Sequence, residues 1–171
     1  ATGTAQSGFK PIGYDANDKL VGFKGNFDGI DYNIFGLTIN GTGLSATGLF
    51  GEAIGSKINN VTLVGGKITG ASHVGAIVGS AVEGTVISNS TNSAEVNGDA
   101  HVGGIAGFVD NSTLTDVINT GKITSDGGRN ADNEVVSNVG GLVGTLEGSS
   151  ILKGSSYNLG DVSGDEANVG G

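Results

Sequence analysis

His73 and His101 are the only histidines in the 171 residues. They stand one repeat apart, each directly before a Val-Gly pair. Two imidazoles in stacked positions could share a divalent cation, but zinc takes three or four ligands from Cys, His and carboxylates. The chain has no cysteine, and no acidic position recurs beside the histidines. No metal and no cofactor are therefore expected. Glycosidic chemistry would need a pair of carboxylates. Asp116 has Asn60 and Asn89 in the comparable place of earlier repeats, so no acidic column forms there. Lys67, Glu95, Lys122 and Asp161 share another position with alternating sign, the pattern of a cross-strand salt-bridge ladder. No catalytic residue is assigned, and the expectation is a protein that is not an enzyme.

The remaining chemistry is weaker still. Glycine-rich segments can cradle phosphate, but such a loop occurs once and leads into a helix. Here the glycine-rich segment returns four times, and no window shows helical periodicity. Gly65-Gly66 and Gly127-Gly128 are not continued as a calcium-binding Gly-Gly-x-Gly-x-Asp array, and the threonines do not align as an ice-binding Thr-x-Thr face. A net charge of −9 with only 8 Lys and Arg disfavours nucleic acid and anionic membrane surfaces as partners. No apolar run reaches the 18 residues that would suggest a membrane span.

What must position any functional residue is the repeat itself. Thr47-Gly48-Leu49-Phe50-Gly51, Val74-Gly75-Ala76-Ile77-Val78-Gly79, Val102-Gly103-Gly104-Ile105-Ala106-Gly107 and Val139-Gly140-Gly141-Leu142-Val143-Gly144 are copies of one anchor, and Val169-Gly170-Gly171 begins a fifth. The closing residues Gly51, Gly79, Gly107 and Gly144 are separated by 28, 28 and 37 positions. Intervals of this size mark stacked repeats. Seven positions beyond each closing glycine stands an apolar residue, Ile58, Val86, Leu114 or Ile151, and a third apolar position follows at Ile68, Val96, Ile123 and Val162. Three short β-prone runs per unit predict an all-β fold, a right-handed parallel β-helix (three-sided β-solenoid) with about one coil per 28-residue repeat. A propeller would need blades of about 40 residues, and a sandwich would show hairpin turns.

Several columns follow from stacking. Leu49, Ile77, Ile105 and Leu142 should line the interior, with Phe50, Val78, Ala106 and Val143 beside them. The closing glycines should lie at bends or close backbone contacts. Asn92, Asn119 and Asn158 suit a turn or an interior amide ladder, with Val64 in that place in the first full unit. Ser45, His73, His101, Asn138 and Asn168 read as an outward polar column, in which repulsion between the two rings should lower both histidine pKa values. The whole chain, 1–171, is expected to form a single β-helix domain. Its residues 1–45 form a lead-in whose aromatics are expected to pack as an end coil, the alternative being an aromatic sugar platform, and residues 46–171 carry the repeats. An insertion at about 125–138 lengthens the third unit, and its Asp126, Arg129, Asn130, Asp132 and Glu134 are the candidate ligand-binding residues. Lacking methionine, starting at Ala1 and stopping inside an anchor, the sequence reads as an excerpt of a longer protein.

The anchors at 102–107 and 139–144, with the run Asn119-Thr120-Gly121-Lys122-Ile123-Thr124 between them, resemble GLUG repeats. The stretch from Phe23 to Ile39, with Phe27-Asp28-Gly29 and Ile34-Phe35-Gly36, is similar to the lead-in that often precedes them. GLUG repeats occur in large secreted or surface bacterial proteins, including filamentous-haemagglutinin-like adhesins and non-catalytic portions of immunoglobulin A metallopeptidases. The resemblance implies a stalk or adhesive surface, secreted or on the cell surface in association with an outer membrane, monomeric, and facing a host or microbial surface glycan or protein. It transfers no catalytic residues. The alternatives are a carbohydrate-active β-helix enzyme of lyase or hydrolase type and an accessory module of a surface protease.

Overall fold

The computed structural model describes residues 8–30, 32–129, 132–165 and 167–170. Among them there is no helix. The lead-in contributes β1 (Asn26–Asp28) and β2 (Asn33–Gly41). The first repeat gives β3 (Ala46–Thr47), β4 (Phe50–Ile54), β5 (Lys57–Asn59) and β6 (Thr62–Gly70), and the second gives β7 (His73–Gly75), β8 (Val78–Val82), β9 (Val86–Asn92) and β10 (Glu95–Gly98). The third holds β11 (Val102–Gly103), β12 (Ala106–Asp110), β13 (Thr113–Asn119) and β14 (Ile123–Ser125). The fourth holds β15 (Asn138–Gly140), β16 (Val143–Glu147), β17 (Ile151–Lys153), β18 (Tyr157–Asn158) and β19 (Val162–Gly164), and β20 (Asn168–Gly170) opens the next turn. All strand pairs are parallel and link one coil to the next, giving a β-solenoid of about five turns with three sheets.

Each anchor is split between two sheets, so the regular coils have four strand segments where three runs were expected, and the fourth has five because β17 and β18 together face β13. The anchor's first half lies in a five-stranded sheet ordered β20-β15-β11-β7-β3, its second in a four-stranded sheet ordered β16-β12-β8-β4. The remaining strands form the eleven-stranded sheet. The interior is a set of aliphatic columns. Phe50, Val78 and Ala106 are fully buried, as are Ile77 and Ile105; Leu142 and Val143 are partly buried. Each such side chain contributes about 1.5–3 kcal/mol relative to exposure.

The glycines explain how two sheets meet at the anchor. A Cβ on Gly107 would lie 2.7 Å from the His101 carbonyl oxygen, one on Gly144 2.5 Å from the Val102 nitrogen, and one on Gly79 2.7 Å from the Gly51 oxygen. Reciprocally, a Cβ on Gly75 would lie 2.7 Å from the Gly107 nitrogen and one on Gly103 2.7 Å from the Gly144 nitrogen. Backbone therefore packs on backbone, with no side chain between the sheets. None of the closing glycines is in the left-handed region, so space and not φ selects glycine. Gly51 differs, since a Cβ there would strike the Tyr14 ring.

Polar ladders run inside the stack. Asn92 Nδ2 donates to Asn119 Oδ1 at 2.9 Å, and Asn119 Nδ2 to Asn158 Oδ1 at 2.7 Å. Each amide also closes a turn on its own chain: Asn119 Nδ2 donates to the Gly121 oxygen and its Oδ1 accepts from the Gly121 N–H. Gly104 and Gly141 leave room for the Asn119 and Asn158 amides. A second ladder escaped sequence reading. The Ser56 N–H donates to Thr85 Oγ1, the Thr85 N–H to Ser112 Oγ and the Ser112 N–H to Ser150 Oγ, at 3.1–3.2 Å. Among the described residues no buried side-chain nitrogen or oxygen lacks a partner.

Several expected registers shift by one residue. Leu63, not Val64, stands opposite Asn92, because Gly65-Gly66, both at positive φ, add a residue to the first repeat's strand. Ile58, Ile87, Leu114 and Leu152 form the column assigned to Ile58, Val86, Leu114 and Ile151, because the turn at Glu83-Gly84 is a residue longer than the one at Gly55, as the Gly148 turn is longer than the one at Asn111. Ala46, not Ser45, pairs with His73, because the first anchor is one residue short. Lys67, Glu95, Lys122 and Asp161 are in register, but no ion pair closes between them. Exposed side chains of this length gain too little from pairing to be held in one geometry.

The lead-in aromatics divide. Phe23 lies tilted and Phe27 edge-on against Phe50, with ring centroids 5.0 and 5.3 Å away, and they cover that end of the core. The Tyr14 hydroxyl donates to the Ala46 oxygen and accepts its N–H. Phe9, Tyr32 and Phe35, expected inside, are exposed. At least two of these, Tyr32 and Phe35, adjoin a chain reversal and an outward strand position of β2, where alternation points the side chain to solvent.

Gly107→Ala is expected to lower stability by about 3 kcal/mol through overpacking against backbone. Gly65→Ala, where a Cβ meets open space but φ is +60°, should cost about 1 kcal/mol. Equal losses in urea midpoint for the two variants would contradict the backbone-contact account. Asn119→Ala should cost about 3 kcal/mol by orphaning the buried Asn92 amide and the Gly121 N–H, whereas Asn97→Ala, on the outer face, should cost under about 1 kcal/mol. Thermal unfolding of the pair checks this.

Candidate functional site

The fold brings the histidines together and adds residues that spacing alone did not select. Val102 pairs with Val74, so the preceding histidines are neighbours in one column, with ring centroids 5.0 Å apart and the rings tilted by 52°. Phe108 on β12 lies 5.0 Å from His73 at an interplanar angle of 27°. The outer faces of the two anchor sheets thus meet in a concave corner whose floor is the glycine backbone contact. One wall carries His73, His101, Asn138 and Asn168, and the other carries Ser80, Phe108 and Thr145, which pair in register. The signal was present as a seven-residue offset, His73 to Ser80, His101 to Phe108 and Asn138 to Thr145.

Hydrogen bonds knit these walls. His101 Nδ1 lies 2.7 Å from Thr145 Oγ1, Asn138 Nδ2 donates to the same oxygen at 3.2 Å, and Asn168 Nδ2 donates to Asn138 Oδ1. The Thr145 hydroxyl, with one proton and two lone pairs, can serve both the Asn138 amide and His101 Nδ1 in either imidazole tautomer. Burial holds His73 down to about 4, with the charge of His101 a smaller contribution. Burial also lowers His101, and the nearby Glu147 carboxylate opposes it. Both pKa values fall, as stacking implied, but burial and not ring repulsion is the main cause. The groove offers hydroxyl, amide and aromatic surface, and no group of three or more His, Cys, Asp or Glu that could hold a metal occurs among the described residues.

The inserted loop leaves the stack after β14 and returns at β15. Its base is pinned by a buried contact of 2.7 Å between the hydroxyls of Ser125 and Ser137, with Ser125 Oγ also donating to the Asp99 oxygen. Above it, Arg129 and Val135 form an antiparallel bridge and the Val136 N–H donates to the Gly128 oxygen. Arg129 reaches the Asn133 carbonyl at 2.6 Å and so helps to hold the loop. Asp126 accepts from Asn97 Nδ2, and the pKa of Asp99 is raised by burial and, second, by the charge of Asp126. Asp132 and Glu134 are exposed, and Asn130 lies outside the described residues. The described loop candidates share one excursion from the stack. Of the structural candidates, Gly79, Gly107 and Gly144 sit at the sheet contact, Gly51 against Tyr14, and Asn92, Asn119 and Asn158 in the ladder.

A depression of about 750 Å³ opens where the fourth coil ends, lined by Leu142, Val143, Leu152 and Val169 among others. These residues continue the interior columns, so the depression is core cross-section and not a shaped ligand site.

The histidine geometry sets a pH dependence. Between its usual value of 6.5 and about 4, the unfolded chain binds a proton at position 73 that the folded chain does not, so stability falls as pH drops through that window and levels off below it. His73→Gln should flatten this part of the curve relative to the parent, and the His73 ring should titrate near pH 4 by NMR. A midpoint near 6.5 would exclude the buried, stacked ring.

No family model and no solved structure matches the chain. The likeness to GLUG repeats thus rests on the motif residues alone. The chain is similar to Halomucin from Haloquadratum walsbyi, with 34% identity over 151 residues, which is 79% of this chain and 2% of that protein. It therefore spans a small fraction of a very long relative, and what the two share is a segment.

Proposed function

We propose that this chain is a structural and adhesive β-solenoid segment of a large secreted or cell-surface protein, built from GLUG-type repeats, with no enzymatic activity of its own. The observation that carries this reading is the continuity of the stack: interior columns, amide and hydroxyl ladders and glycine contacts all run from coil to coil. Such an element serves as a spacer whose outer face carries the specific contacts. The similarity to one small part of Halomucin supports a segment of a long surface-type protein. The inserted loop, with Asp126, Arg129, Asn130, Asp132 and Glu134, is the proposed contact for a surface glycan or protein.

A second reading, a carbohydrate-active enzyme, draws on Glu52, whose carboxyl is raised by burial and by the charge of Glu83. A raised acid beside a second carboxylate is what glycosidic cleavage uses.

The 171-residue chain, applied to arrays of glycans and extracellular proteins, should bind a ligand, and deleting residues 127–135 should weaken that binding at least tenfold. Undiminished binding would move the contact away from the loop. Shortening of a polysaccharide by the parent chain, lost in Glu52→Gln, would instead establish the enzyme.

A further inference from the structure

The sequence contains four Asn-x-Ser/Thr triplets, Asn40-Gly41-Thr42, Asn60-Val61-Thr62, Asn89-Ser90-Thr91 and Asn111-Ser112-Thr113. This triplet, with x other than proline, is the acceptor for N-linked glycans in exported proteins. The fold treats the four differently. The middle residue is buried in all four triplets, but Thr62, Thr91 and Thr113 are half-buried within strands whereas Thr42 is exposed. In those three strand-bound triplets the asparagine amides are also engaged: Asn60 Nδ2 donates to Asp28, Asn89 Nδ2 to Asn59 and Asn111 Nδ2 to Asp110.

Asn89 and Asn111 are exposed as Asn40 is, so what sets Asn40 apart is its threonine and its amide. Asn40 lies near the end of β2, and Thr42 and Gly43 are exposed in the turn that the Leu44 N–H closes onto the Gly41 oxygen. The Thr42 hydroxyl donates to Asn40 Oδ1 at 3.2 Å, while Asn40 Nδ2 makes no hydrogen bond. Gly41 is fixed by packing, since a Cβ there would meet the Thr47 side chain. The buried ladder residues Asn92, Asn119 and Asn158 are followed by Ser-Ala, Thr-Gly and Leu-Gly and form no triplet.

We propose that Asn40 is an N-glycosylation site, and the one of the four that stays available once the coil has folded. The inference rests on the reading of the chain as exported. The reaction needs an oligosaccharide carried on a polyprenyl phosphate or diphosphate and an oligosaccharyltransferase. Asn40 Nδ2 bonds to the anomeric carbon, the carbon–oxygen bond to the carrier phosphate breaks, the phosphate leaves with that electron pair, and the amide loses one proton.

Purified, folded 171-residue chain is incubated with a lipid-linked oligosaccharide and a transferase that reads the triplet alone, beside a peptide of residues 36–46. Peptide mass mapping should find one glycan, on Asn40, with occupancy falling at least tenfold in Asn40→Gln and in Thr42→Ala. Urea-unfolded chain, diluted into the same reaction, should gain glycans on Asn60, Asn89 or Asn111 as well. An unmodified Asn40 in the folded chain while the peptide is modified would overturn the proposal, as would equal modification of all four in the folded chain. Because the reaction bypasses export, either result leaves the structural and adhesive reading to its own binding test.

Discussion

Everything in this solenoid depends on two polypeptide backbones touching where the anchor turns from one sheet into the next. Aliphatic side chains hold the interior apart at ordinary sheet-packing distances, but at the concave corner the closing glycine of one coil rests on the peptide unit before the anchor valine of the preceding coil. This close approach fixes the angle between the two sheets. It also turns residues 73 and 101 toward residue 108, so the outer groove is a by-product of the inner constraint. A side chain at any of these glycines would push the sheets apart and shift every column above it.

The ladders complement that contact. Aliphatic columns are indifferent to small sliding of one coil over another, whereas an amide that must donate to the next amide and also close its own turn accepts only one register. Asn92, Asn119 and Asn158, with the Ser56, Thr85, Ser112 and Ser150 hydroxyls, therefore supply specificity where Ile, Leu and Val supply cohesion. The corner residues Asn60, Asn89 and Asp116 take left-handed φ values of 48–55°, which short polar side chains tolerate.

The parallel stack, its interior columns and the Asn ladder were legible because each is a periodic signal, and the resemblance in the anchors reinforced it. One-residue slips were not. Counting from the anchors placed Ser45, Val64, Val86 and Ile151 where Ala46, Leu63, Ile87 and Leu152 stand, because a short first anchor, a glycine pair at 65–66 or a longer turn at Gly84 or Gly148 changes the count by one residue without disturbing the strands on either side. The groove was half visible. The histidines announced themselves, but Phe108 and Thr145 required knowing that the anchor folds outward onto itself, which depends on Cβ-free contacts that residue types only hint at. The hydroxyl ladder was hidden because Ser and Thr are common, and nothing marks the buried ones until the register is known.

The same coil geometry has a mechanical meaning. A regular repeat stores 28 residues in a step of about 4.8 Å along the axis. Pulled taut, that length of chain spans on the order of 90 Å. A coil peeled from the stack under load would therefore lengthen its part of the chain roughly twentyfold. The neighbouring coil, bonded to its own other neighbour, would keep its columns and ladders. A filament built this way has a reserve of slack released one turn at a time, and the glycine contacts and amide ladders set the force at which each turn lets go.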